Sequence, residues 1–110
     1  MDATKGMVET GRDHVYVNLF HSSGQLLIAA CDKEILGKTF RSGRLKLEIK
    51  ESFYKGNLRS LDEVIQMIDT ADVVNLAGNR IVQAAIESGH ADPEAVILIG
   101  GTRHLQIMRL

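Results

Sequence analysis

The sequence predicts an α+β fold, a single domain in which two main helices pack on a mainly antiparallel sheet of about five strands. First, period-two alternation of side chains marks strands at 15–20 and 44–50, ahead of the helices. Second, helical periodicity appears only later, at 60–68 and 78–88. Third, the last two segments, 95–99 and 103–109, are joined by the turn 100–102 as in a hairpin. A wound βαβ fold would alternate strands and helices more regularly.

The first elements are predicted to form a β-hairpin. Residues 15–20 alternate as a strand does, His21-Ser22-Ser23-Gly24 supplies a turn, and 25–31 continues as an apolar run. Because this second strand is apolar on both faces, we expect it to lie in the centre of the sheet. Residues 1–13 show no periodicity and are predicted to be a flexible leader before a domain spanning 14–110.

The middle of the chain gives one clear strand between irregular segments. Asp32 is expected to cap a single helical turn at 33–36, and 38–43 is interpreted as a loop. In 44–50, apolar residues then alternate with charged ones, which predicts a strand with one buried and one charged face. The segment 51–57 is interpreted as an excursion without regular structure.

Two helices follow this strand. Ser60 and Glu63 have the spacing of a capping box, and apolar residues recur at i, i+3, i+4 and i+7 from position 61. A second helix is predicted from Gly78 to Ser88. Residues 72–76 between the helices fit either a short strand or the approach to a helix.

The C-terminal segments are predicted to form a second hairpin. Ala95 to Ile99 is entirely apolar and is predicted to be a buried strand. Gly100-Gly101-Thr102 then makes a tight turn, and Arg103 to Arg109 returns as the last strand.

Composition excludes several classes of protein. The single cysteine, Cys31, allows neither an intramolecular disulfide nor a cysteine-rich zinc site, and no two histidines are spaced as local metal ligands. The longest apolar run, Leu26 to Cys31, is far short of the ~20 residues that span a bilayer. Residues 1–13 also lack the apolar stretch of a secretory signal. We therefore expect a cytoplasmic protein with no membrane partner, no metal and no cofactor.

Charge is distributed unevenly along the chain. The formal net charge is −1, but residues 38–59 carry +5 and residues 60–99 carry −6. This division predicts a surface with one basic and one acidic face.

The basic segment supports the leading hypothesis, a non-enzymatic module that binds RNA or the ribosome. Cationic side chains contact a phosphate backbone, and exposed aromatic rings stack on bases. The predicted RNA-binding residues are Lys38, Arg41, Arg44, Lys46 and Lys50, with Tyr54 as a stacking group. The alternative is an ordinary solvated strand face whose neighbouring aromatic residues belong to the core.

Two other hypotheses remain open. One is a small enzyme or ligand-binding protein with a convergent polar cluster made of Cys31, Asp32, Lys38, Glu51, Tyr54, Asn75, His104 and Gln106. In that set, His104 and Gln106 share a strand face, whereas Cys31 alone is typical of a buried structural cysteine. The other hypothesis is self-association, in which the basic face of one copy meets the acidic helices of a second to form a homodimer.

Four segments carry a resemblance to a known family. They are LIAACDKEILGKT at 27–39, LEIKESFYKG at 47–56, VNLAG at 74–78 and ILIGGTRHLQ at 97–106. Together they resemble an archaeal family of small proteins, domain of unknown function 424, over about residues 15–110. The resemblance implies a cytoplasmic archaeal protein, a compact α+β fold and a loose association with translation-related genes, but no established reaction. The distinctive polar residues that it implies are Cys31, Asp32, Gly37, Lys38, Thr39, Glu51, Ser52, Tyr54, Asn75, Gly78, His104 and Gln106.

Overall fold

A six-stranded sheet covered on both faces carries the fold. The computed structural model describes residues 14–109, so the leader predicted at 1–13 lies outside the described residues. The strands are β1 (His14–Ser22), β2 (Gln25–Asp32), β3 (Thr39–Ser42), β4 (Leu45–Glu48), β5 (Asn57–Ser60), β6 (Val73–Ala77), β7 (Ile97–Ile99) and β8 (Thr102–Met108). The helices are α1 (Glu51–Tyr54), α2 (Leu61–Met67) and α3 (Asn79–Glu87), with 3₁₀ turns at Lys33–Ile35, Ile68–Thr70 and Pro93–Ala95.

The strand order of the main sheet is β5-β1-β2-β6-β8-β7, and β3 pairs with β4 in a separate two-stranded hairpin. The β2–β6 pair is parallel, and the other neighbours are antiparallel. The predicted α+β class is therefore confirmed. The main sheet has six strands rather than about five, and the one-turn helix α1 adds a third helix to the two that were predicted.

The predictions that rest on residues close together in the sequence are confirmed. The β1–β2 hairpin turns at Ser23 and Gly24, both with positive φ, and β2 lies inside the sheet as expected. Helix α2 begins with the predicted capping box: Glu63 N donates to Ser60 Oγ at 3.2 Å, and Ser60 N donates to Glu63 Oε1 at 3.1 Å. The open segment at 72–76 forms β6, between β2 and β8.

Three predictions are wrong. The segment interpreted as a loop at 38–43 contains strand β3, and the excursion at 51–57 forms α1 and the start of β5. The strand expected to be buried at 95–99 is instead the edge strand β7, on which Ile97 and Leu98 are 50% and 61% exposed. An apolar run predicts burial, but no further strand among the described residues pairs with β7, and the β3–β4 hairpin that contacts it leaves Ile97 and Leu98 largely exposed.

The sheet has a different cover on each face. On one face, helices α2 and α3 bury Val64, Ile81 and Val82 against the strands. On the other, Leu47 and Ile49 from the end of the β3–β4 hairpin join Tyr54 of α1 in a second core. Because both faces are covered, the central strands β2 and β6 are almost entirely buried.

Helix α3 begins on a carboxylate that comes from the end of β2. Asp32 is 2% exposed, and its two oxygens accept hydrogen bonds from Arg80 N and Ile81 N, each at 2.9 Å. The predicted turn after Asp32 does form, but the Asp32 side chain makes no capping hydrogen bond to it. The carboxylate instead caps a helix 48 residues further along the chain, where the N-cap residue, Gly78, has no side chain of its own.

Gly78 tests this arrangement, because its φ is +121° and a Cβ there would overlap the Asp32 carboxyl group, 2.6 Å from Oδ2. Gly78→Ala should therefore lower the free energy of unfolding by clearly more than the about 1–2 kcal/mol of a left-handed residue alone. Gly89→Ala is the control, since Gly89 also has a positive φ but has nothing within 4 Å of its Cβ position. Equal losses for the two variants in urea unfolding would contradict the proposed contact.

Candidate functional site

The outer face of the β3–β4 hairpin is the strongest candidate site. It carries the cross-strand pair of Arg41 and Lys46. Three further exposed cations flank this pair: Arg44 in the turn, and Lys38 and Lys50 beyond the strand ends. Within residues 38–50 only Glu48 carries negative charge. The structure therefore leaves the five predicted basic residues exposed in one segment. These cations are one of the two parts of the predicted RNA-binding surface; the other part is an exposed aromatic ring.

The hairpin is attached to the protein through its inner face. Phe40 and Leu47 are cross-strand partners, and both belong to the core on that side of the sheet. Gly100 closes the contact from β7, since its amide donates to Ser42 Oγ at 2.6 Å and a Cβ there would lie 2.9 Å from Arg41 N. The alternation of a strand thus fixes the hairpin by its apolar side and leaves the basic side in solvent.

Two cations of the hairpin directly oppose each other. Arg41 and Lys46 are cross-strand partners, and like charges in that position destabilise a sheet. Glu48 lies 3.9 Å from the amino groups of both Lys46 and Lys50 and partly compensates. Arg41 and Lys46 therefore add nothing favourable to each other in folding.

Tyr54 does not lie on this surface, and its prediction as a stacking group is wrong. Its ring is 3% exposed and packs edge-on against Phe53, with the centroids 4.9 Å apart. Phe53 in turn stacks on Phe20 at 5.4 Å, and Phe40 packs in the same core. The aromatic residues of the basic segment are thus used by the core, and an RNA base has no Tyr54 face to stack on.

Part of the predicted polar cluster does converge, on the hairpin side of the main sheet. Asn75 Oδ1 accepts a hydrogen bond from Tyr54 Oη at 2.5 Å, and His104 Nε2 lies 3.1 Å from the same oxygen. Gln106, opposite Asn75 in the β6–β8 register, has an exposed side chain. The predicted shared strand face of His104 and Gln106 is confirmed by that register.

Burial sets the protonation of this network. It lowers the pKa of His104, so the imidazole is neutral at pH 7 and donates its Nε2 proton to Asn75. Burial, followed by the nearby Cys31, raises the pKa of Tyr54, which stays a phenol and a donor. One amide oxygen thus joins α1, β6 and β8, and the network connects these elements rather than presenting free groups to a substrate.

The other members of the predicted polar cluster lie elsewhere. Asp32 points to the helix side of the sheet, where it caps α3, while Lys38 and Glu51 are exposed. Cys31 is fully buried, and burial together with Asp32 and Glu34 raises the pKa of its thiol to about 12. The eight residues therefore do not surround one concave site.

A groove of about 650 Å³ lies beside α3, on the helix side of the sheet. Two arginines line it, and both have partners: Arg80 Nη2 is 2.6 Å from Glu34 Oε1, and Arg103 Nη1 donates to Gln83 Oε1 at 2.6 Å. The groove has two arginines, one of them compensated by Glu34, so it offers less positive charge than the five cations of the hairpin. Arg80 Nε is nevertheless buried there without a hydrogen-bond partner among residues 14–109.

No three His, Cys, Asp or Glu side chains among residues 14–109 are grouped so that they could hold a metal ion. None of the helices in this part of the chain is long and apolar enough to cross a membrane.

The opposition of Arg41 and Lys46 was missed in the sequence because 38–43 was interpreted as a loop. A signal was present: Ser42-Gly43 is a turn dipeptide between two short segments, each with one inward apolar residue, Phe40 and Leu47. Treated as a hairpin, these residues would have placed Arg41 beside Lys46.

The buried thiol gives one prediction. Cys31 is fully buried, and at pH 8 the raised pKa leaves almost no thiolate, so a maleimide should not label the native protein at an appreciable rate. Labelling measured by mass spectrometry should instead follow the unfolded fraction as urea is added. Complete labelling within minutes in native buffer would contradict this placement of Cys31.

The hydrogen bond from Tyr54 to Asn75 gives a second prediction. Tyr54→Phe keeps the ring but removes the donor to Asn75 Oδ1, so the free energy of unfolding should fall by about 1 kcal/mol. Tyr16→Phe is the matched control, because Tyr16 is the other tyrosine and is only half-buried on β1. If both variants unfold at the wild-type urea concentration, the network adds no stability.

The fold and the sequence each have a known counterpart. A solved structure described as an uncharacterized conserved protein from Methanopyrus kandleri matches with a TM-score of 0.70 and 21% identity, over 86% of this chain and 90% of that one. At that identity the likeness shows the fold alone. No curated protein matches the chain. The profile of a family described as "Protein of unknown function (DUF424)" matches residues 20–110 and confirms the resemblance found in the sequence. The chain therefore belongs to the DUF424 family.

Proposed function

We propose that this protein binds RNA through the outer face of the β3–β4 hairpin. The observation that carries the proposal is the cross-strand pair of Arg41 and Lys46, exposed and flanked by three further cations. A pair that opposes folding is explained if a polyanion neutralises it. The ribosome fits the proposal as one source of such RNA.

Recognition is proposed to be through phosphates rather than bases. Guanidinium and ammonium groups contact backbone oxygens, and Tyr54, buried in the core, does not stack. With four or five phosphates neutralised, the logarithm of affinity should fall with the logarithm of salt concentration with a slope of about −3 for a single strand. A steep salt dependence with weak sequence preference is thus the expected signature.

Arg41→Glu separates binding from folding. The substitution turns the repulsive pair with Lys46 into an attractive one, so the hairpin should gain about 0.2–1 kcal/mol while RNA binding weakens. We expect a loss of about tenfold or more in affinity for a labelled single-stranded RNA at low salt, measured by fluorescence anisotropy. Urea unfolding of the same variant checks that stability has not fallen.

Arg59→Glu is the control for the change in net charge. Arg59 is on β5, at the opposite edge of the main sheet from β7, the strand that the hairpin contacts. Its ion pair with Glu63 is exposed and adds little stability. The proposal is overturned if wild type shows no RNA binding at low salt, or if Arg59→Glu weakens it as much as Arg41→Glu.

A further inference from the structure

We propose that two copies of the chain pair through the open edge of β7, which extends the six-stranded sheet across a two-fold axis. The apolar edge lies beside the basic hairpin, whose Arg41 backbone adjoins Gly100, but the inference does not rest on RNA binding. It assigns to β7 the self-association that the sequence suggested for the acidic helices.

The two edges of the main sheet differ in chemistry. Edge strand β5 carries Arg59, and a charge on an edge is a common protection against pairing with another chain. Edge strand β7 consists of Ile97, Leu98 and Ile99 with no charge at all. Leu98 is 61% exposed and Ile97 50% exposed, and β7 has no charge like Arg59 of β5. Its protection against pairing is limited to its length of three residues and to the hairpin that contacts it.

The register of the β7–β8 hairpin shows which backbone groups are open. Ile99 and Thr102 flank a two-residue turn in which both glycines, Gly100 and Gly101, have positive φ. Along an antiparallel ladder, hydrogen-bonded and non-hydrogen-bonded residue pairs alternate. The pair that flanks this turn, Ile99 with Thr102, is hydrogen-bonded, and so is Ile97 with His104, whereas the pair between them is not. Leu98, opposite Arg103, is that middle residue, and its N–H and C=O therefore point away from β8.

A two-fold axis at Leu98 would pair both the N–H and the C=O of this residue with a second copy. The N–H and C=O of Leu98 in each copy pair with those of Leu98 in the other, as in any hydrogen-bonded antiparallel pair. The same register sets Ile97 of one copy opposite Ile99 of the second, on the same sheet face. Leu98 of each copy then packs against Leu98 of the other, and Ile97 lies beside Ile99, which is already buried in the core on the hairpin side.

Charge complementarity selects a second copy as the partner. Asp92 and Glu94 precede β7, whereas its far end at Gly100 adjoins the backbone of Arg41 in the basic hairpin. In an antiparallel pair, the start of each β7 lies beside the end of the other. The acidic approach of one copy then meets the basic hairpin of its partner, twice per dimer.

Leu98→Lys tests the pairing in the full-length chain. Sedimentation velocity of the wild type should show a concentration-dependent rise from 12.1 kDa towards about twice that mass. A lysine at the centre of the interface should raise the dimer dissociation constant about tenfold or more, because it buries an unpaired charge. Leu98 is largely exposed, so the monomer should keep its fold, which circular dichroism checks.

Leu58→Lys is the matched control, since Leu58 is an exposed leucine (45%) on the opposite edge strand. It should leave the dimer intact. Glu94→Lys keeps the apolar edge but reverses one charge, and it should weaken the dimer at low salt only. The proposal is overturned if the wild type stays at 12.1 kDa at every concentration, or if Leu58→Lys dissociates the dimer and Leu98→Lys does not.

Discussion

The buried carboxylate of Asp32 is the interaction on which the rest of the structure depends. It accepts two amide hydrogen bonds at the start of α3 and so ties the end of the central strand β2 to the helix that covers the sheet. Burial raises the pKa of Asp32, while the two amide donors and the Arg80 guanidinium act against that rise. The amide of Gly78 also donates to Arg103 O at 2.9 Å, so β8 is held at the same point. Strand β2 and helix α3 are therefore joined by the Asp32 carboxylate, and β8 is joined to the start of the same helix by the Gly78 amide.

The polar groups on the two faces of the sheet have different roles. On the helix side, Asp32 caps α3 and Arg103 donates to Gln83, whereas Arg80 Nε is buried without a hydrogen-bond partner among the described residues. On the other side, the polar network of Tyr54, Asn75 and His104 holds α1 against the sheet, and Phe40 and Leu47 hold the hairpin. The basic hairpin has the least compensated charge, because Glu48 is the single acidic residue among the five cations of residues 38–50. This is why we propose the binding function there and not at the polar network.

Features set by near neighbours were predictable from the sequence, and those set by distant ones were not. The capping box of Ser60 and Glu63 needs only four residues, and the alternation of the β1–β2 hairpin needs about twenty. Asp32 was read as a local cap, but its partners are 48 and 49 residues away, and no spacing rule links them. Likewise, the apolar sequence of β7 does not show that the sheet ends there.

For the same reason, the sequence predicted the cations of the candidate site correctly but not the position of its aromatic ring. The sequence identifies the five cations of the hairpin because charge can be counted along the chain. It does not show whether an aromatic ring such as Tyr54 faces the cations or the core, because that depends on Asn75, 21 residues away. Tertiary packing decides which side chains are exposed, and here it leaves the cations exposed and buries the ring of Tyr54.

An NMR titration tests the central claim most directly, that the hairpin has a surface free to bind RNA. Amide chemical shifts of the labelled chain would be recorded as a single-stranded RNA is added at low salt. The account predicts shifts concentrated in residues 38–50, reversed by added salt, with amides of β5 and of the groove beside α3 unchanged. Shifts centred on that groove or on the network of Tyr54, Asn75 and His104, or no shifts at all, would contradict it.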